Sequence, residues 1–142
     1  MKTEFFDQFF CEANNDYSVV FEDDGRAAYA YLLHGDNIIG EVWLYNQAPT
    51  PKEPEWHNKE KMPFLNPDGF IKENISPILD SEELKVNWKL SKEMDIDEVL
   101  ISIRDKLVAM LELDSTPGWS LLVSKDGPLA KRMEIDIQLP PH

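Results

Sequence analysis

The stretch LKVNWKLSKEMDIDEVLISIRDKLVAMLEL, residues 84–113, decides the fold. Its opening, Leu84-Lys85-Val86-Asn87-Trp88-Lys89-Leu90, alternates apolar and polar residues, the period of a half-buried strand with lysines on the exposed face. From Asp95 or Asp97 the pattern changes. Ile96, Leu100, Ile103, Leu107 and Met110 fall on one helical stripe, widened by Val99 and Leu111. Asp97 and Glu98 stand where a helix dipole favours acids. The spacing therefore predicts a long amphipathic helix over about residues 96–113.

Outward from this stretch, Phe5, Phe6, Phe9 and Phe10 recur at helical spacing after Thr3, which predicts a short N-terminal helix. Three strand-like runs follow: Tyr17–Glu22, Arg26–Leu33 and Ile38–Asn46. Asp23-Asp24-Gly25 and His34-Gly35-Asp36-Asn37 separate them, and these residue types tolerate the positive φ of hairpin turns. The expectation is an antiparallel meander, with Gly40 marking a bulge or a close approach of another segment. Residues 47–69 hold half of the ten prolines and read as an ordered loop pinned by Trp56, Met62, Phe64 and Leu65. Asn66-Pro67-Asp68 reads as the cap and first turn of a short helix to about Asn74. After the break at Ser115-Thr116-Pro117-Gly118, the runs Trp119–Ser124 and Arg132–Leu139 read as a final hairpin around Lys125-Asp126-Gly127-Pro128. The expected fold is α+β: one globular domain, residues 1–142, with a largely antiparallel sheet made of an N-terminal meander, the long helix and a C-terminal hairpin.

The net charge is −13, which disfavours nucleic acid and anionic membrane surfaces as partners and favours basic proteins. The charge is uneven. Residues 1–46 carry nine acids and two bases, so 2 − 9 = −7 of the total. A composition of 42% hydrophobic residues is enough for a core, unlike that of acidic disordered chains. A lone cysteine, Cys11, excludes an internal disulfide and suits a reducing compartment. With no signal-peptide core and no apolar run of membrane-spanning length, the expected location is cytoplasmic.

No motif assigns a reaction, and no cofactor or metal is expected. Cys11 and His34 form no established nucleophile pattern. Glu53, Glu55 and His57 are too few for zinc. The pairs Asp23-Asp24 and Asp95-x-Asp97 are accounted for by turns and caps. The positive signal lies in the acidic third. Tyr29 and Tyr31 share one face of their strand. Glu41, Trp43 and Tyr45 share one face of theirs, opposite Val42 and Leu44. A face of tyrosine and tryptophan rimmed by acids suits docking of a basic protein. The candidate partner-binding residues are Asp23, Asp24, Tyr29, Tyr31, Asp36, Glu41 and Trp43. The competing expectation is that a helix covers one face and the proline loop the other.

Through Glu41-Val42-Trp43-Leu44-Tyr45-Asn46, Pro54-Glu55-Trp56 and Gly118-Trp119, together with size and charge, the chain resembles the small acidic immunity proteins of bacterial polymorphic and contact-dependent toxin systems. That resemblance implies a cytosolic, non-enzymatic protein that neutralises a cognate toxin domain by occluding it. A basic nuclease is the expected target, because phosphate binding requires positive surface. Two other readings stand beside it: a small enzyme or ligand-binding domain with a pocket under loop 47–69, and a nucleic-acid mimic that inhibits a DNA-binding protein.

Overall fold

The computed structural model describes residues 3–133. Its strands are β1 (Phe5–Phe10), β2 (Tyr17–Asp23), β3 (Ala27–His34), β4 (Asn37–Asn46), β5 (Leu84–Leu90), β6 (Ile96–Ile103), β7 (Lys106–Leu111), β8 (Trp119–Ser120) and β9 (Lys131–Arg132). They form a four-stranded sheet in the order β1-β2-β3-β4 and a five-stranded sheet in the order β5-β6-β7-β8-β9. One hydrophobic cluster runs through both sheets, with Val19, Phe21, Ala30, Leu32 and Val42 from the first and Val99, Ile101, Ala109 and Leu111 from the second. The only helical pieces among the described residues are two 3₁₀ turns, Lys59–Lys61 and Ser81–Glu83.

The α+β expectation is therefore wrong: the fold is nearly all β, and the long amphipathic helix does not exist. Residues 96–111 are the hairpin β6–β7, with Val99 opposite Leu111 and Ile103 opposite Lys106. The two residues of its turn, Arg104 and Asp105, both have positive φ, 53° and 66°, which matches the twist of a two-residue hairpin. Val99, Ile101 and Ile103 are buried, and β-branched side chains favour the extended backbone. The guanidinium of Arg104 holds the turn in place. It donates to Glu83 Oε1 at 2.8 Å and to the Ser76 and Pro77 carbonyls at 2.9 and 2.7 Å.

Three further elements differ from expectation. Phe5–Phe10 is a strand, not a helix, because β2 supplies an antiparallel ladder from Phe5↔Asp23 to Phe10↔Ser18. No helix follows Asn66, because the backbone there bonds elsewhere. The Asn66 N–H donates to Asn46 Oδ1 at 3.0 Å, and the Lys72 and Glu73 N–H groups reach the Leu122 carbonyl. The final hairpin does not form among the described residues. β8 pairs antiparallel with β7, whereas β9 returns parallel to β8. The chain between them loops across to β4, where the Trp43 N–H donates to the Leu129 carbonyl at 3.0 Å. The part of that expected hairpin from residue 134 onward lies outside the described residues.

The meander strands β2, β3 and β4 stand where the alternation and turn residues put them. Gly40 is a point of close approach. It bridges to Ser115, and a Cβ there would lie 3.0 Å from Ser115 Oγ and 3.2 Å from the Glu112 carbonyl.

Candidate protein-docking face

Strand register organises the outer face of the first sheet into rows. Phe6, Glu22, Tyr29 and Trp43 form the first. Gln8, Val20, Tyr31 and Glu41 form the second. Phe10, Ser18, Leu33 and Ile38 form the third. The opposite face, with Val19, Phe21, Ala30, Leu32 and Val42, packs towards the second sheet. A register shift after Trp43 turns Tyr45 to that inner face. Tyr45 therefore does not share a face with Trp43, as plain alternation predicted.

The first row is covered at its β3–β4 end by the proline-rich segment. Trp43 is fully buried, and its Nε1–H donates to Asn46 Oδ1 at 2.8 Å. The Tyr29 hydroxyl donates to the Phe64 carbonyl at 2.6 Å. The cover is strapped down by Arg26, which pairs with the buried carboxylate of Glu55 and donates to the Lys61 and Pro63 carbonyls. Burial alone would raise the Glu55 pKa. The hydrogen bonds from Arg26 and the Leu65 N–H, with the charges of Arg26 and Lys61, outweigh it and hold the group below its ordinary value.

The rest of the face is open. Phe6, Phe10 and Ile38 are 64%, 57% and 61% exposed, and Tyr31, Leu33 and Glu41 are half-buried. Tyr31 stacks on Tyr29 with ring centroids 6.0 Å apart. Its hydroxyl is pushed up to about 12, first by burial and then by the negative charges of Glu22, Glu41 and Asp24. The Glu41 carboxyl is raised by burial alone, and among the described residues no cation pairs with it.

The expected site residues thus separate. Tyr31 and Glu41 lie together on the open rows. Asp24 and Asp36 are exposed in the β2–β3 and β3–β4 turns, and the Asp24 carboxylate also caps the Arg26 and Ala27 N–H groups. Tyr29 and Trp43 lie under the cover. Asp23 is only 2% exposed and serves the interior. It accepts from the Tyr45 hydroxyl at 2.6 Å, from Gln47 Nε2 at 2.6 Å and from the Gly25 N–H at 2.9 Å. Sequence reasoning misses the apolar contributors Phe6, Phe10 and Ile38, the first two because their run reads as a helix.

Two clefts flank β1. One, of about 400 Å³, is lined by Glu4, Phe5, Phe6, Glu22, Asp23 and Asp24. The other, of about 430 Å³, separates Phe9, Phe10 and Cys11 from Val86, Trp88 and Leu90 of β5. Under the proline-rich segment, Asn46, Asn66, Glu55 and Trp43 bond to one another or to adjacent backbone. Among the described residues no buried side-chain polar atom lacks a partner. No cluster of His, Cys, Asp or Glu among them could hold a metal ion. Glu55 is committed to Arg26, while Glu53 and His57 are exposed. Cys11 is buried, and the His34 ring stacks on Tyr17 at 4.6 Å. No helix among the described residues is long and apolar enough to cross a membrane.

Comparison with known proteins finds no family model, no curated protein and no solved structure that matches this chain.

Proposed function

We propose that this chain is a protein-binding module that docks a basic protein on the open rows of its first sheet, its use being immunity-type neutralisation of a toxin domain by occlusion. The observation that carries the reading is Glu41, a half-buried carboxylate on an aromatic face with which no cation among the described residues pairs. Desolvating a carboxylate without a counter-charge costs free energy. A lysine or arginine brought by a partner offsets that cost and binds more firmly because the site is partly dry. Tyr31 supplies an aromatic anchor next to it, and exposed Phe6, Phe10 and Ile38 supply apolar contact area. The concentration of acids in residues 1–46 supplies long-range steering.

The test looks for a toxin domain encoded beside this gene and measures its binding kinetics over a salt series. Tyr31→Ala is expected to raise the dissociation rate, with a loss of about 2 kcal/mol. Glu41→Gln combined with Asp24→Asn and Asp36→Asn is expected to slow association and flatten its salt dependence. Unchanged kinetics in both variants, with circular dichroism showing intact folds, would remove this face from the interaction. The absence of any toxin-domain gene beside this one would sink the immunity reading.

A further inference from the structure

We infer that the outer edge of β1 receives an extended strand of the basic partner, laid into the seam between β1 and β5. This rests on the reading above that the partner is basic, and it adds the mode of capture.

The backbone of β1 is prepared for a second neighbour. The Gln8 N–H turns away from β2 and donates to the Asp7 carboxylate at 2.7 Å; that carboxylate also accepts from the Ser81 hydroxyl, so an incoming strand must displace Asp7 from this donor. By the alternation of an antiparallel ladder, the N–H and C=O groups of Phe6, Gln8 and Phe10 face outward. Among the described residues no strand pairs with that edge. β5 is likewise the first strand of its sheet, and no ladder joins it to β1. At the Phe9–Phe10 end of β1 a cleft of about 430 Å³ separates it from Val86, Trp88 and Leu90. The core is thin along this seam. Phe5, Phe9, Val86, Trp88 and Leu90 point inward yet are only half-buried, while Phe21, Val99 and Ile101 behind them are at 0% exposure. An added strand with alternating apolar residues would cover this surface and complete the β1 ladder, as in recognition by strand addition.

Charge selects the occupant. Glu4, Glu22 and Asp24 line the cleft at one end of β1, and Glu12 lines the cleft at the other. The nearest lysines of β5, Lys85 and Lys89, are paired with Asp105 and Glu98. A second copy of the chain would bring −13 against −13 and set Asp7 against Asp7. An inward-pointing charge on an edge strand is a known guard against such self-pairing. A strand alternating Val-type and Lys-type residues meets attraction instead.

The experiment titrates the full chain with a capped peptide of about seven residues alternating lysine and valine, long enough to span β1. Amide hydrogen exchange is read at Phe6, Gln8 and Phe10. Binding is expected to slow exchange there by about tenfold or more. A glutamate–valine peptide is expected not to bind. N-methylation of alternate peptide residues is expected to abolish the protection. Gln8→Pro removes an outward donor while sparing the β2 ladder, and it is expected to weaken binding by about tenfold, whereas Gln8→Ala leaves it unchanged. If Gln8→Pro fails to fold, the N-methylated peptide decides alone. No binding of the lysine–valine peptide, binding without protection of these amides, protection of β5 instead, or the same protection arising from a dimer of the chain overturns strand addition. The docking face itself stands or falls separately, on the kinetics of Tyr31→Ala with the toxin domain.

Discussion

The two halves of one sheet face carry two glutamates in opposite circumstances. Glu55 lies over the Tyr29–Trp43 end, buried, with Arg26 and the Leu65 N–H on its carboxylate. Glu41 lies one row away beside Tyr31, half-buried, with only desolvation acting on it. The sequence invests a cation, a proline-rich strap and an asparagine network in the first half and leaves the second with exposed Phe10 and Ile38. The difference separates stability from function. A covered, internally satisfied polar group holds the fold together. An uncovered one that no cation among the described residues pairs with is the feature on which the proposed docking reading rests.

Substitutions sharpen this contrast. Trp43→Ala removes a fully buried indole and is expected to destabilise the protein by about 4 kcal/mol. Tyr31→Ala, one row away, is expected to cost about 1 kcal/mol or less. Chemical denaturation of both checks the gap, and equal losses would show that the open half is core. Glu55→Gln is expected to cost about 2 kcal/mol, since Arg26 loses its charge partner while held under the strap. The pH dependence follows. The Glu55 pKa is depressed in the folded state, so its contribution is fully present above the ordinary glutamate range. It disappears as pH falls through the lower folded value. Melting temperatures followed down through the acid range should fall less steeply in Glu55→Gln than in the wild type.

What the sequence discloses depends on whether one period or two can be read. β2 to β4 are legible because alternation coincides with Asp-Gly and Gly-Asp-Asn turns, and Gly40 stands where Ser115 approaches. Residues 96–111 mislead because both faces of the second sheet carry apolar residues. Val99, Ile101 and Ile103 point inward, while Leu100, Met110 and Trp119 line up across the outer face. Together they also satisfy a helical stripe. The turn that divides them, Arg104-Asp105, adopts positive φ without glycine or asparagine, so Asp105 alone marks it. Only the β-branched run at 99, 101 and 103 argues for strand. The same ambiguity hides β1, since phenylalanines at 5, 6, 9 and 10 fit either period. It conceals the exposed Phe6 and Phe10 with it. For the site, Tyr31, Glu41 and the turn acids are legible as acid beside aromatic. Which of the aromatics the proline-rich segment covers depends on the reach of Phe64 and Glu55, a tertiary fact with no local trace.

The smallest expected effect is the most discriminating. Glu41 has its carboxyl pKa raised by burial, so the folded state holds the proton more tightly than the unfolded chain. Folding is then favoured most when Glu41 is protonated. That advantage is present below the ordinary glutamate range and is lost as pH rises through the higher folded value, the reverse of Glu55. At neutral pH the ionised group is a burden on the free protein. Glu41→Gln is therefore expected to stabilise it by roughly half a kcal/mol, with the gain vanishing in acid. Denaturant midpoints at neutral and acid pH check both the sign and the window. A loss of stability at neutral pH would mean that Glu41 already has a favourable partner in the folded chain, and its claim as a docking point for a cation would fall. A gain would show a carboxylate retained at the expense of stability, and the same variant should then lose affinity for a basic partner while being the more stable protein. One substitution moving those two quantities in opposite directions is a result that solubility alone does not produce.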